Sequence, residues 1–472
     1  MLTRATSSLP LAGEAFAAVW NSDNDRALAL LHNVDAPGCA VMRARVWLRL
    51  ERFDRVLLEY ERRWLAAYQP AEATGLACCA AVAFAARGDV SAAWDAHAAA
   101  EASAKRVSDP LLHLHVAFTV ALLHLMTGDV ARSRHAIALL AASAETLPHI
   151  EARTPYQWEL PHLRARILQQ RGRHYELEHD RVAGERCYTS ALRAAEDARN
   201  RDRYLEAQLL ALLATVISET PADESRAYVV ARANVAWSSQ LDQSTTFVRH
   251  ALVNNHRLFG SRTAVESRIP RGAPSLAARL DDRVHALLLE DWPDPVTFYA
   301  ECRFAISLAL DVDWSRTAEH EVLALARLSA VLAPFEYTFA KTIAQTYTAR
   351  IEQLSPNCAT RRNPNRPVHE MLRDACLAKA GGELDDAATI FGRVAKESHE
   401  RGVPWRAAIA GLERYAMTRD ERDLATARVF ANAYPASSFS RRLRRSVAAA
   451  LAGERAFAYL GISGPDARHG PR

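Results

Sequence analysis

GELDDAATIF, running from Gly382 to Phe391, holds a complete instruction for joining two helices. A glycine followed by a polar residue suits the left-handed turn that ends one helix and starts another. Leu384, Ala387 and Phe391 then follow at i, i+3 and i+7, the spacing of one helical face. Each position has an expected task. The apolar residue after the turn plugs the corner, and the small residue lets the two helices approach. The larger one, a turn later, fills the gap against the next pair.

The same order recurs upstream. One unit turns at Glu51-Arg52, with Trp47 four residues before and Phe53, Val56 and Tyr60 after. Another turns at Gly88-Asp89, with Phe84 before and Val90, Ala93 and His97 after. A third turns at Gly128-Asp129, with His124 before and Val130, Ser133 and Ile137 after. From 51 to 88 is 37 residues and from 88 to 128 is 40, long spacings for a helix-pair repeat that suggest lengthened helices. Asp109-Pro110, Thr154-Pro155, Thr220-Pro221 and Asp294-Pro295 each pair an N-cap residue with a proline at the first helical position. Alternating β-branched runs are scarce, and the pattern predicts further helices over 155–171, 179–199, 202–219, 224–240, 243–258, 275–290, 295–310, 315–332 and 336–354.

This turn–apolar–small–aromatic order resembles the tetratricopeptide (TPR-like) repeat, well over 38–147 and 367–400 and only as a pattern elsewhere. The resemblance implies an all-α fold, an α-solenoid of stacked antiparallel helix pairs forming a TPR-like superhelix. The expected organisation is a TPR-like helical repeat array over 1–354, a linker at 355–367, C-terminal repeats over 368–460 and a disordered tail at 461–472. Residues 260–275 read as a long connection. At 472 residues the chain exceeds what one ordinary core supports, which fits either several domains or a solenoid.

Composition excludes several classes. Apolar residues make up 49% and charged ones 24%, which is the balance of a folded protein. A net charge of +4 gives no general case for nucleic acid or an anionic membrane. Two arginine clusters, Arg361, Arg362 and Arg366, then Arg441, Arg442, Arg444 and Arg445, read as solvated or salt-bridging surface; the second covers over half a helix circumference and offers no clean stripe. The N-terminal ten residues do not read as a signal peptide, and the most apolar stretch, Leu111–Met126, carries three histidines. The expectation is a cytoplasmic protein with no membrane segment. Seven cysteines, an odd number without C-x-x-C spacing, read as buried packing in a reducing compartment.

Catalytic signatures are missing from the sequence. There is no G-x-x-x-x-G-K-[ST], G-x-G-x-x-G or G-x-S-x-G motif. His113 and His124 share a helix face but lie about 16 Å apart along it, too far to grip one ion. The expectation is a non-enzyme with no cofactor and no metal.

In TPR-like stacks the first helix of each pair lines the concave face. That register assigns a candidate peptide- or protein-binding groove to Val41, Arg45, Arg49, Cys78, Val82, His115, Phe118, Leu122, His369, Leu372, Cys376 and Lys379. Family members that clamp a peptide carboxylate use lysine, arginine and asparagine there; the apolar residues of the middle units fit an apolar helix or extended peptide better. If neighbouring helices fill these positions, they are core instead. The expected function is a non-enzymatic protein–protein interaction scaffold, probed by Phe118→Asp and Leu372→Asp. The alternative is a regulator: GVPWRAAIAGLERYA at 402–416 and the arginine-rich helix at 441–452 resemble the repeat region of large LuxR-type transcription regulators, here without nucleotide-binding or DNA-binding parts. Bacterial origin goes with either reading.

Overall fold

The structure, a computed structural model, describes residues 3–32, 34, 36–64, 67, 69–147, 150–178, 180–217, 253–260, 276–292, 294–317, 319–354 and 366–452. The Thr220-Pro221 start, the expected helices over 224–240 and most of 243–258, Cys358, Arg361, Arg362, the bulk of the 260–275 connection and of the 355–367 linker, and the 461–472 tail lie outside these residues. Every regular element described is helical, and no strand occurs among the described residues. None of these helices is long and apolar enough to cross a membrane.

Contacts divide the chain into two compact units, one built from residues up to Glu178 and Val182–Leu212, the other from Leu213 onward. The first contains α1 (Thr3–Trp20), α2 (Asn24–Leu31), α3 (Cys39–Arg49), α4 (Phe53–Arg63), α5 (Pro70–Ala86), α6 (Val90–Ala104), α7 (Pro110–Met126), α8 (Val130–Thr146), α9 (Leu160–Leu177) and most of α10 (Arg181–Glu196). It also holds the first part of α11 (Arg203–Ile217). From α1 to α9 each helix packs against the next. Alternate ones also touch, α3 with α5, α5 with α7 and α7 with α9.

The turns explain the repeat. At Gly88, Gly128 and Gly382 φ is 85°, 91° and 88°, and Glu51 adopts 55°. In each case the next residue's N–H reaches back five positions: Asp89 to the Phe84 carbonyl at 3.0 Å, Asp129 to His124 at 2.8 Å, Glu383 to Ala378 at 2.9 Å and Arg52 to Trp47 at 2.8 Å. These are Schellman caps, which satisfy carbonyls that a helix end would otherwise leave unpaired. Asp89 and Asp129 then cap the following helix, accepting from the N–H of Ala92 and Arg132, both at 3.0 Å.

The small-residue position is buried at every turn, as Val56, Ala93, Ser133 and Ala387. Ser133 Oγ even donates to the Ala121 carbonyl of the preceding helix at 2.7 Å. The corner-plug expectation is corrected. Val90, Val130 and Leu384 are exposed, because the residue just inside a helix start points away from the partner helix. The expected start at Thr154-Pro155 also moves. Residues 150–159 form a loop, and α9 begins at Leu160, where Glu159 and His162 cap it reciprocally.

The second unit comprises a helical piece at 253–259, α12 (Leu276–Leu289), α13 (Pro295–Asp311), α14 (Glu319–Leu332), α15 (Tyr337–Leu354), α16 (Arg366–Gly381), α17 (Leu384–Glu400), α18 (Pro404–Thr418), α19 (Arg422–Ala433) and α20 (Ser438–Leu451). One core runs from Leu258 to Ala450, so helices before 354 and after 366 share it. Its last helix packs back on its early one. Arg442 of α20, 5% exposed, donates to the carbonyls of Leu287 at 2.6 Å and Glu290 at 3.2 Å, and Ser438 Oγ accepts from the Asp291 N–H at 2.8 Å. Arg445 pairs with Asp291, while Arg441 and Arg444 donate to the Ala436 and Pro435 carbonyls. The C-terminal arginine cluster thus makes contacts within its own unit.

Candidate functional site

The first helices of the pairs in the first unit surround a cavity of about 400 Å³. α3 supplies Arg45, Leu48 and Arg49, and the turn after it Glu51; α5 supplies Cys78, Cys79 and Val82; α7 supplies His115, Phe118, Thr119, Leu122, Leu125 and Met126. The loop before α9 adds Trp158, α9 adds Arg166, Gln170 and Arg173, and α11 adds Tyr204 and Gln208. First helices starting at 39, 70, 110, 160 and 203 repeat the same face, so residues on successive ones converge.

Of the twelve predicted groove residues, Arg45, Arg49, Cys78, Val82, His115, Phe118 and Leu122 lie together here. Val41 instead packs in the core between α3 and α5, with its Cγ1 so near Gly75 that a Cβ there would meet it at 3.0 Å. His369, Leu372 and Cys376 are buried in the second unit's core, and Lys379 pairs with Glu413 at 2.5 Å. The twelve therefore do not form one continuous surface. Phe118 and Leu372, 2% and 3% exposed, are core residues, and an aspartate at either would test folding, not binding.

Charge is arranged unevenly. Arg49 reaches the Val19 carbonyl at 2.6 Å and Asp202 at 2.9 Å, and Arg166 lies 3.5 Å from the other Asp202 oxygen. Burial works against the Asp202 charge, but Arg49 and Arg166, with the Leu205 N–H, hold its carboxyl below the usual range. Arg45 makes no ion pair among the described residues. Its guanidinium lies 5.0 Å from the Trp158 ring centroid and 5.5 Å from that of Trp20, and Arg166 covers Trp158 from 4.6 Å. Burial, reinforced by Arg49 and Arg166, lowers Arg45 to about 10, which leaves it charged at neutral pH.

His115 sits 4.1 Å from Trp158, ring to ring. Burial first, then Arg45 and Arg166, push it down to about 3, so it is neutral. His162 stacks on Trp20 at 5.0 Å; it accepts from the Glu159 N–H through Nδ1 and meets the Asn200 carbonyl through Nε2 at 2.7 Å, the pattern of a neutral ring. Burial raises the thiols of Cys78 and Cys79 to about 12 and 11, so neither is a thiolate. No nucleophile–base pair results, and no metal-holding group of His, Cys, Asp and Glu occurs among the described residues.

Sequence reasoning missed Trp158, Arg166, Gln170, Arg173, Tyr204 and Gln208. The turn between α9 and α10 carries no glycine, so the repeat register stops at α8 and could not be carried onto α9. The weak signal was spacing: Arg166, Gln170 and Arg173 recur at i, i+4 and i+7 along one face.

No known protein-family model matches the chain, and a comparison with curated proteins finds no match. The class that fold and site together define is an all-helical protein with a helix-lined cavity.

Proposed function

We propose that the protein is a non-enzymatic interaction scaffold of TPR-like helix pairs, engaging another protein or peptide through the inner helix face of its first unit. The observation carrying this reading is the convergence of α3, α5, α7, α9 and α11 on one cavity, with Leu48, Val82, Leu122 and Met126 only partly buried there. Partly exposed apolar residues around a concavity are what a docking segment covers. The same lining offers no acid–base or nucleophilic set. Four arginines modify the ligand expectation: an acidic or acid-bearing segment suits this face better than a purely apolar one.

A second reading, a regulator related to the LuxR type that acts through a partner, is favoured by the size of the cavity, which lies within the range of small-molecule sites. Affinity capture by the full chain, compared with Leu122→Asp and Val82→Asp, tests the scaffold. Loss of a discrete partner with helical circular dichroism unchanged is expected. Unchanged capture by both variants overturns the assignment of this face.

A further inference from the structure

The cavity has a charged end and an apolar end. Arg45 and His115 are each 6% exposed, and Gln170 is 8% exposed. Leu48, Val82, Leu122 and Met126 lie further toward the C-terminal ends of their helices and are half-buried. Because first helices of successive pairs run in the same direction, Arg45 and Arg166 lie at one level and Leu48, Val82 and Leu122 at the next, where Arg49 and Arg173 also stand.

At the charged level a donor remains without a partner. Arg166 Nε, a donor, is buried and makes no hydrogen bond. Among the described residues Arg45 has no carboxylate within ion-pair distance, only Met42 Sδ at 3.7 Å and two indole faces, with Asp202 acting on it from further off. Lining the cavity are Arg45, Arg49, Arg166 and Arg173 against Glu51, with Asp202 behind; four cations less two carboxylates leaves an excess of two positive charges. The neighbouring thiols and His115 are neutral, so none of them offsets it. A buried cation such as Arg45 without an ion-pair partner is costly, and Arg49 and Arg166 share the single Asp202 carboxylate; an anion beside Arg45 and Arg166 repays that cost.

We propose that the cavity binds a small molecule bearing one oxyanion head, a carboxylate or a phosphate, on a short apolar body, the head accepting from Arg45 and Arg166 and the body lying against Val82, Leu122 and Met126. A cavity of about 400 Å³ holds a body of several carbons. Arginine presents paired N–H groups that match either oxyanion, and the geometry makes no distinction between the two. The inference rests on reading this cavity as a binding site, as the scaffold proposal does, but it concerns a free small molecule.

The test is calorimetric titration of the full chain in chloride buffer with octanoate, octyl phosphate and octanol. At least one of the two acids binds, with octanol at least about tenfold weaker, and Arg166→Gln and Arg45→Gln each weaken the acid about tenfold or more. If Arg166→Gln loses its helicity, Leu122→Trp fills the apolar end without touching Arg45 or Arg166 and must block the acid. Which acid binds tells a carboxylate from a phosphate ligand. The proposal is overturned if octanol binds as well as the acids, if neither acid binds at millimolar concentration, or if folded variants bind unchanged. A failed titration leaves partner capture standing, and a failed capture leaves a positive titration standing, so the two proposals fall separately.

Discussion

Lowering the pH from 7.5 to 5.0 should loosen the first unit by an amount attributable to His115. The ring is 6% exposed, faces Trp158 at 4.1 Å and lies near the Arg45 and Arg166 charges, which together with burial hold it to about 3. An unfolded histidine titrates near 6.5. Between these values the unfolded chain binds a proton that the folded one refuses, so stability rises with pH there. The contribution is fully present above about 6.5 and is lost as pH falls toward 3. At pH 5.0 the folded ring is still neutral while the unfolded one is almost fully protonated, which costs about 2 kcal/mol relative to pH 7.5. Native-state hydrogen exchange of the α7 amides under mild urea reads this opening. Wild type should lose about 2 kcal/mol more than His115→Gln over that interval, whatever the offset between them at pH 7.5. An identical pH dependence in both would show that the ring is accessible to protons in the folded state, and the account of a dry, cationic cavity end would fail.

Three other outcomes are expected. Gly38→Ala should destabilise by about 3 kcal/mol, because φ is +86° and a Cβ would run into the Tyr156 ring, whereas Gly128→Ala, at +91° but facing open space, should cost only about 1 kcal/mol; urea unfolding compares them. Lys379→Met leaves Glu413, 1% exposed, without its 2.5 Å cation and should cost about 3 kcal/mol, much of it recovered by the double change Lys379→Met with Glu413→Leu in the same unfolding assay. Cys78 and Cys79, with thiols raised to about 12 and 11 by burial, should stay unmodified by iodoacetamide in the native protein at pH 8 and react in urea, as read by peptide mass mapping.

Local backbone chemistry was the most legible part of the sequence. Residues four before each turn, Trp47, Phe84 and His124, were read as pattern members, and their carbonyls accept the capping bonds. The small residues at 56, 93, 133 and 387 are written into the helix-pairing physics and are buried. Legibility ended where punctuation ended. Without a glycine after α9, nothing in the sequence aligned Arg166 with Arg45, although side chains 121 residues apart (166 less 45) meet at one indole. Nor could periodicity distinguish lining from core. Val41 and Cys78 each stand ten residues before their turn (51 less 41, 88 less 78), yet one packs against Gly75 and the other lines the cavity. His369 and Leu372 kept the right periodicity and are enclosed by a core that draws on helices far along the chain.

The return of α20 to α12 has a consequence for how the second unit is made. Arg442 and Leu287 are 155 residues apart in the chain. At a synthesis rate of about 5–20 residues per second, the Leu287 carbonyl waits on the order of ten seconds or more for its donor to be translated. During that interval the α12 side that faces α20, and the unpaired carbonyls at its end, need cover from elsewhere. A nascent chain halted before residue 438 should therefore be the form most dependent on chaperones, and release should follow once Arg442 has emerged.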